Sequence, residues 1–367
     1  MKVICTQENL AKALNIVSRT VTTRATLPVL SNILLSVGDG RLKLTSTDLE
    51  IGVSTWIGGQ VEEDGALTVP ARLFSDFVIN NRDSKIELLS KENTIHLKSD
   101  HFEANINGIE ASEFPMIPEV SGQPLLKISS KKFVEAVKQV VIAPAADESR
   151  PVLAGVLFSF KDSLLKLVAT DSYRLAEKKI DLEKTVQPVD IIVPSRSLNE
   201  LLRIIGSLVV EEIEISINEN QVLFTVGDTQ IVSRLIEGVF PNYEQIIPTT
   251  EQTTALVDVN EITGIVKMAA LFAKESANNI KLDFNDKQLV AKSMSAQVGD
   301  NISQMSAEIS GHGVEIAFNS KYILDFLSVV GEKNIKISVN DRVSPGVFRP
   351  GKSRDYLYII MPLRVEE

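Results

Sequence analysis

Histidine, cysteine and tryptophan are scarce in this chain of 367 residues: three, one and one. Cys5, alone, cannot close an internal disulfide, which fits a reducing cytoplasm and makes a buried structural thiol the expected reading. His96, His101 and His312 have no cysteine cluster beside them, so no imidazole or thiolate metal site and no cofactor is expected. No apolar run approaches the roughly 18 residues a membrane helix needs. The opening stretch MKVICTQENL lacks the apolar core of an export signal. Aromatic residues make up 5% of the chain. No Ser-His-Asp set, metal set or carboxylate pair offers a catalyst. Basic residues are outnumbered 38 to 48 and the net charge is −10, which argues against gripping nucleic acid by bulk charge.

What is present is a globular composition, 44% hydrophobic and 23% charged, on a chain long enough for two or three domains. It is also repetitive. DSLLKLVATDSYRLA runs from Asp162 to Ala176, and DGRLKLTSTDLEI from Asp39 to Ile51 has the same rhythm. Asp48 and Asp171 are 123 residues apart. A fainter third copy is NDKQLVAKSMSA, with Lys292-Ser293-Met294 expected where Thr-Asp stands in the others. Such a period is the size of a small domain, not of a solenoid unit.

The rest of the chain supports one domain written three times. Each third opens on an apolar stripe at helical spacing, in windows 7–20, 129–142 and 260–275. A second helix recurs as VPARLFSDFV from Val69, VPSRSLNELL from Val193 and FNSKYILDFL from Phe318. Phe74, Leu198 and Ile323 occupy one position in it; Phe77, Leu201 and Phe326 another; Val78, Leu202 and Leu327 a third. Alternating apolar residues between the helices predict strands. Closures at EFPMIPE, VFPNYEQIIP and IIMPLR put the domains at residues 1–121, 125–248 and 254–367. Each reads as an α+β unit, two helices against antiparallel sheet.

The six helical windows together carry a formal charge of +5, leaving −15 for strands and loops. Helices gathered on one surface would make it attract phosphate while the rest repels it. Ordinary solvated helix faces fit the same charges equally well.

Two other functional classes have some support. Gly346 to Ser353, GVFRPGKS, matches the P-loop pattern literally. A P-loop opens a helix, whereas Tyr356-Leu357-Tyr358-Ile359-Ile360 predicts a strand, and Pro350 lacks one of the amides a phosphate cradle uses. A basic hairpin loop is expected instead. A peptide-binding scaffold that never meets DNA is the other class, but it leaves the basic helix faces without a purpose.

TLPVLSNILL, TSTDLEI, VPAR, ATDSYRLA, VPSR, FPNY and YIIMPLR, in that order over the full length, resemble the bacterial DNA polymerase III β sliding clamps. The resemblance implies a non-catalytic head-to-tail homodimer, a ring of six similar domains with helices lining the hole and duplex DNA passing through without sequence preference. Its implied partners are the polymerase III catalytic subunit, the clamp loader, and other polymerases and repair factors with short clamp-binding peptides; no membrane is involved. A ring held by topology needs only weak phosphate contacts, so an acidic exterior is no defect. By resemblance those contacts include Arg24, Arg72, Lys138, Arg150 and Arg196, and the positive charge of window 129–142 adds Lys131 and Lys132. The client pocket is implied at Leu153, Thr170, Ser172, Tyr173, Arg174, Leu175, Pro241, Ile246, Ile359, Met361, Pro362, Leu363 and Arg364. Apolar side chains there would make a slot, Met361 could adapt to several clients, and the two arginines could bond peptide carbonyls or an acidic residue. Packing at a domain joint is the alternative, strongest for Leu175 and Ile359. The subunit contact is implied at Phe102, Leu271 and Phe272. Gln245, Ser172, Tyr173 and the terminal Glu366-Glu367 depart from the family pattern around the pocket.

Overall fold

The computed structural model describes residues 1–21, 27–117, 123–147, 149–285 and 287–364. Arg24, Ser121 at the first proposed boundary, Glu366 and Glu367 lie outside the described residues. Its contacts divide the chain into two compact units, residues 1–133 with 196–235, and residues 134–195 with 236–367. The middle third therefore contributes to both units.

Among the described residues, six α-helices occupy the expected places: α1 Gln7–Val17, α2 Ala71–Asn80, α3 Ser130–Val140, α4 Ser195–Ile205, α5 Val259–Ala273 and α6 Ser320–Val329. Three begin on side-chain caps that satisfy otherwise orphan amides. Thr6 accepts from the Asn9 amide, Asp258 from Asn260 and Glu261, and Asn319 from Lys321. The apolar stripes are the buried faces: Leu10, Ala13, Leu14 and Val17 on α1, and Ile262, Ile265, Val266 and Ala269 on α5. The repeated second helix buries Phe74 and Val78, then Leu198 and Leu201, then Ile323, Phe326 and Leu327. Each fully buried side chain of this size contributes roughly 1.5–3 kcal/mol relative to its exposed state.

All strand pairings between the described strands are antiparallel. Among the described residues, the first and last thirds hold nine strands each and the middle third six, two of them long. In the first unit, an eight-stranded sheet runs in the order Leu126–Ser129, Glu212–Ile217, Gln221–Val226, Thr229–Arg234, Ile51–Gly58, Arg41–Thr47, Asn32–Gly38, Gly65–Pro70. It joins two thirds of the chain through Thr229–Arg234 against Ile51–Gly58, with Val232 opposite Gly52 and Gln230 opposite Ser54. A five-stranded sheet ends on the edge strand Glu103–Asn107.

The second unit repeats the plan. Its seven-stranded sheet runs Gly155–Thr170, Arg174–Pro194, Tyr356–Ile360, Gly346–Pro350, Asn334–Val339, Thr253–Asp258, Glu308–Ser310. There Leu175 lies opposite Ile359 and Glu177 opposite Leu357. A four-stranded sheet ends on the edge strand Gly299–Ser306.

The repeat extends to single hydrogen bonds. Thr47 Oγ1 donates to the Ile51 carbonyl and accepts from the Leu49 amide, while Asp48 Oδ1 accepts from the Glu50 and Ile51 amides. Thr170 Oγ1 donates to the Arg174 carbonyl and accepts from the Ser172 amide, while Asp171 Oδ1 accepts from the Tyr173 and Arg174 amides. Leu49 and Ser172 have φ of 78° and 79°, and Asp39 and Asp162 have 52° and 54°. The third copy sits two residues beyond its expected place. Ser295, not Ser293, ends its strand and accepts from the Gln297 amide, as Thr47 and Thr170 do from theirs. Ala296 stands where the aspartate would, so the carboxylate anchor is gone, which is why this copy is faint in sequence.

Candidate functional site

The apolar centre of the second unit lies where Arg174–Pro194 meets Tyr356–Ile360. Leu157, Val168, Leu175, Ile192, Tyr243, Val347, Leu357 and Ile359 form one buried cluster, with Val152, Ile236, Phe240 and Ile247 packed against it. Leu175 and Ile359 have no exposed surface. They are the floor of the expected pocket rather than its wall, because strand alternation turns both into the core. Leu153 and Thr170 are also buried.

The accessible residues of the expected set surround this floor. Tyr173 is 62% exposed and Ile246 41%. Ser172, Pro241 and Arg364 are exposed, and Met361, Pro362 and Leu363 are half-buried. The turn holding Ser172 and Tyr173 is tied to the chain end, since the Met361 amide donates to the Tyr173 carbonyl at 2.8 Å. The Leu363 amide donates to the Ala317 carbonyl at 2.9 Å, anchoring the run on a second strand. On the other side, Pro241 and Ile246 flank Tyr243, whose hydroxyl donates to Glu177 Oε2 at 2.7 Å. Burial, reinforced by that carboxylate, pushes the Tyr243 hydroxyl well above its usual range. The hydroxyl therefore stays protonated and the bond holds. Sequence reasoning missed Tyr243, Leu157 and Val347 in the cluster. The only cue was the FPNY motif, which does not say which way a tyrosine points.

Arg174 is the polar hub. Its side chain is 10% exposed. Nε donates to Asp171 Oδ2 at 3.0 Å, Nη1 to Asp325 Oδ2, and the guanidinium lies 4.4 Å from the Tyr322 ring centre. Burial opposes its charge, but Tyr358, Asp325 and Asp171 outweigh burial and raise its pKa. With both carboxylates engaged, Arg174 fixes the turn; its remaining donor capacity is what a peptide could use. Arg150 Nη1 reaches Ser172 Oγ at 3.4 Å, so this exposed arginine sits at the rim of the same site.

Of the seven residues expected to face DNA, Arg24 lies outside the described residues and Arg150 contacts Ser172; the other five divide into two groups. Arg72 on α2 and Lys131, Lys132 and Lys138 on α3 are exposed, with no ion-pair partner among the described residues. Arg196 on α4 is 68% exposed and lies 2.7 Å from Asp48 Oδ2, so its charge is already countered. Of the expected subunit-contact residues, Phe102 is 44% exposed beside the edge strand Glu103–Asn107, Leu271 is 55% exposed on α5, and Phe272 is half-buried. Leu73 and Ile79 on α2, Met268 on α5 and Ile302 on the edge strand Gly299–Ser306 are further exposed apolar residues that sequence reasoning did not single out.

The P-loop-like stretch forms strand Gly346–Pro350, a bend, then strand Tyr356–Ile360. The Lys352 and Ser353 amides donate to the two carboxylate oxygens of Glu332 at 3.0 and 3.2 Å. No helix follows, and the amides that would cradle phosphate hold a carboxylate of the same chain. Among the described residues, no group of three or more His, Cys, Asp or Glu is placed to hold a metal ion.

Models of the DNA polymerase III β subunit match in three successive stretches: the N-terminal domain over residues 1–118, the central domain over 127–242 and the C-terminal domain over 244–364. A β sliding clamp of Synechococcus elongatus is 33% identical over 373 residues, covering all of both chains. One of Staphylococcus epidermidis is 30% identical over 362 residues, covering 96% of each. Among solved structures, the DNA polymerase III subunit β of Pseudomonas aeruginosa superposes with a TM-score of 0.95 at 27% identity, and the sliding clamp of Bacillus subtilis with 0.95 at 28%, each covering both chains fully. The threefold repeat, its shared turn chemistry and these full-length likenesses agree: the chain belongs to the bacterial DNA polymerase III β subunit family, the β sliding clamps.

Proposed function

We propose that two copies of this chain close head to tail into a six-domain ring around duplex DNA and tether clients through the Tyr173–Met361 pocket. As a DNA sliding clamp the chain is a processivity factor and not an enzyme. The domains are residues 1–121, 125–248 and 254–367. The polymerase III catalytic subunit, the clamp loader and other replication and repair proteins are the clients, each offering a short peptide with apolar anchors.

The observation that carries this reading is the repeat together with one sheet edge in the first domain and one in the third. Three similar domains are half of a six-domain ring. Glu103–Asn107 and Gly299–Ser306 are sheet edges with unpaired backbone groups, one beside Phe102 and the other carrying Ile302. Exposed edges invite pairing with another chain. Joining the first-domain edge of one copy to the third-domain edge of the next is a heterologous contact, and such a contact closes into a ring when the rotation permits. Arg72, Lys131, Lys132 and Lys138 would give the lining weak phosphate contacts without sequence preference.

The test is retention. Protein loaded on nicked circular DNA should stay bound through salt washes and be lost once the circle is linearised. Equal retention on both forms would replace topology with affinity and overturn the ring. The pocket is tested separately: Met361→Ala and Leu363→Ala should each weaken a client peptide by on the order of 1 kcal/mol or more. Full affinity in both folded variants would remove the pocket.

A further inference from the structure

The apolar cluster of the second unit has a counterpart in the first, and the counterpart is open. Register identifies it. Leu175 opposite Ile359 corresponds to Gly52 opposite Val232, and Glu177 opposite Leu357 to Ser54 opposite Gln230. Val168, paired with Glu177, corresponds to Thr45, paired with Ser54. Tyr243 follows Phe240-Pro241 as Ile117 follows Phe114-Pro115. At each of these places the first unit carries a smaller or more polar side chain. The outcome is a cleft of about 830 Å³ at the place that corresponds to the buried apolar cluster of the second unit. Ile117 closes only part of it, lying so near Gly52 that a Cβ there would come within 2.8 Å of Ile117 Cδ1.

We propose that this cleft is a second peptide site, taking a short apolar segment that carries a carboxylate. The peptide class rests on the reading of the C-terminal pocket, whose strand frame the cleft shares. The carboxylate rests on charge: Lys43 is the one charged residue among the described residues lining the cleft. Its Nζ stands 4.8 Å from the centre of the Trp56 ring, and no carboxylate is among the described residues that line the cleft. Leu34, Leu223 and Val232 give the cleft apolar area beside the hydroxyls of Ser36, Thr45 and Ser54 and the Gln230 amide, and Met116, which also lines it, is 94% exposed and free to adapt. A cleft that combines apolar area with one positive charge selects an amphiphilic ligand of opposite sign.

Trp56 is the sole tryptophan of the chain, so its emission reports on this cleft alone. The probe is acetyl-Leu-Phe with a free C-terminal carboxylate, titrated into the full protein beside its C-terminal amide. The acid should change the Trp56 emission saturably, and the amide should bind about tenfold more weakly, as loss of a charge-assisted contact implies. Lys43→Gln should reduce binding of the acid to that of the amide, and Ser36→Phe should block both by filling the cleft, with melting curves confirming the fold. Met361→Ala with Leu363→Ala should leave the response unchanged, so failure of the C-terminal pocket and failure of this site are read apart. No saturable change, or equal binding of acid and amide, would overturn the proposal.

Discussion

Asp48→Ala and Asp171→Ala remove the same residue from two copies of one turn, so each is the other's control. Both aspartates accept two backbone amides. At about 1 kcal/mol net per hydrogen bond, each variant loses about 2 kcal/mol of local stability. The copies differ in the arginine. Asp171 holds Nε of Arg174, a side chain 10% exposed, and a hydrogen bond to a largely buried charge is worth about 1.5–3 kcal/mol. Asp48 pairs with Arg196, which is 68% exposed, and solvent screening leaves that pair worth roughly 0.5 kcal/mol or less. Asp171→Ala should therefore exceed Asp48→Ala by about 2 kcal/mol. Global melting of a multidomain chain blurs such a difference. Amide exchange of residues 164–181 and 41–58, read separately, measures it locally. Asp171→Ala should also weaken client-peptide binding, because Tyr173 and the Met361 amide hang on that turn. Equal protection losses in the two copies would refute the role given to Arg174 burial.

Ser172 has φ of 79°, where a side chain costs on the order of 1 kcal/mol. Ser172→Gly should raise local stability, less whatever the 3.4 Å Arg150 contact contributes, and a destabilised variant would show the contact dominates. Asp83 accepts from Ser99 and His101, which lowers its pKa to about 2, and it raises that of the exposed His101. The His101 contribution is complete below pH 6.5 and is lost as pH rises through its folded value; the Asp83 contribution is complete above pH 3.8 and is lost as pH falls towards about 2. The loop before Phe102 should be tightest between those limits, and an NMR titration of His101 should shift back to its ordinary midpoint in Asp83→Asn. Leu271→Ala with Phe272→Ala should weaken the dimer in sedimentation without unfolding the chain; an unchanged dimer would place the contact elsewhere. Changing Lys131, Lys132 and Lys138 to Glu should reduce DNA association and its salt dependence, because fewer counterions are released; indifference would put α3 away from DNA.

The period of about 123 residues, the six helices and their buried faces were legible in the sequence. They depend on spacing along one chain: i, i+3, i+4 for helices, alternation for strands, Thr-Asp for a turn whose bonds span four residues. The proposed client site could be named in the sequence only as a set of positions, and tertiary structure sorted those into buried and exposed. Whether Leu175 is floor or wall depends on which face of a strand meets the strand Tyr356–Ile360, a partner more than 180 residues away. The pairing of Asp48 with Arg196, and of Arg174 with Asp325, joins residues that no local pattern links. The cleft over Gly52 follows the same logic. A glycine in one repeat and a leucine in the other are visible in sequence, but whether a missing side chain leaves a void or draws a neighbour inward is decided by packing in three dimensions.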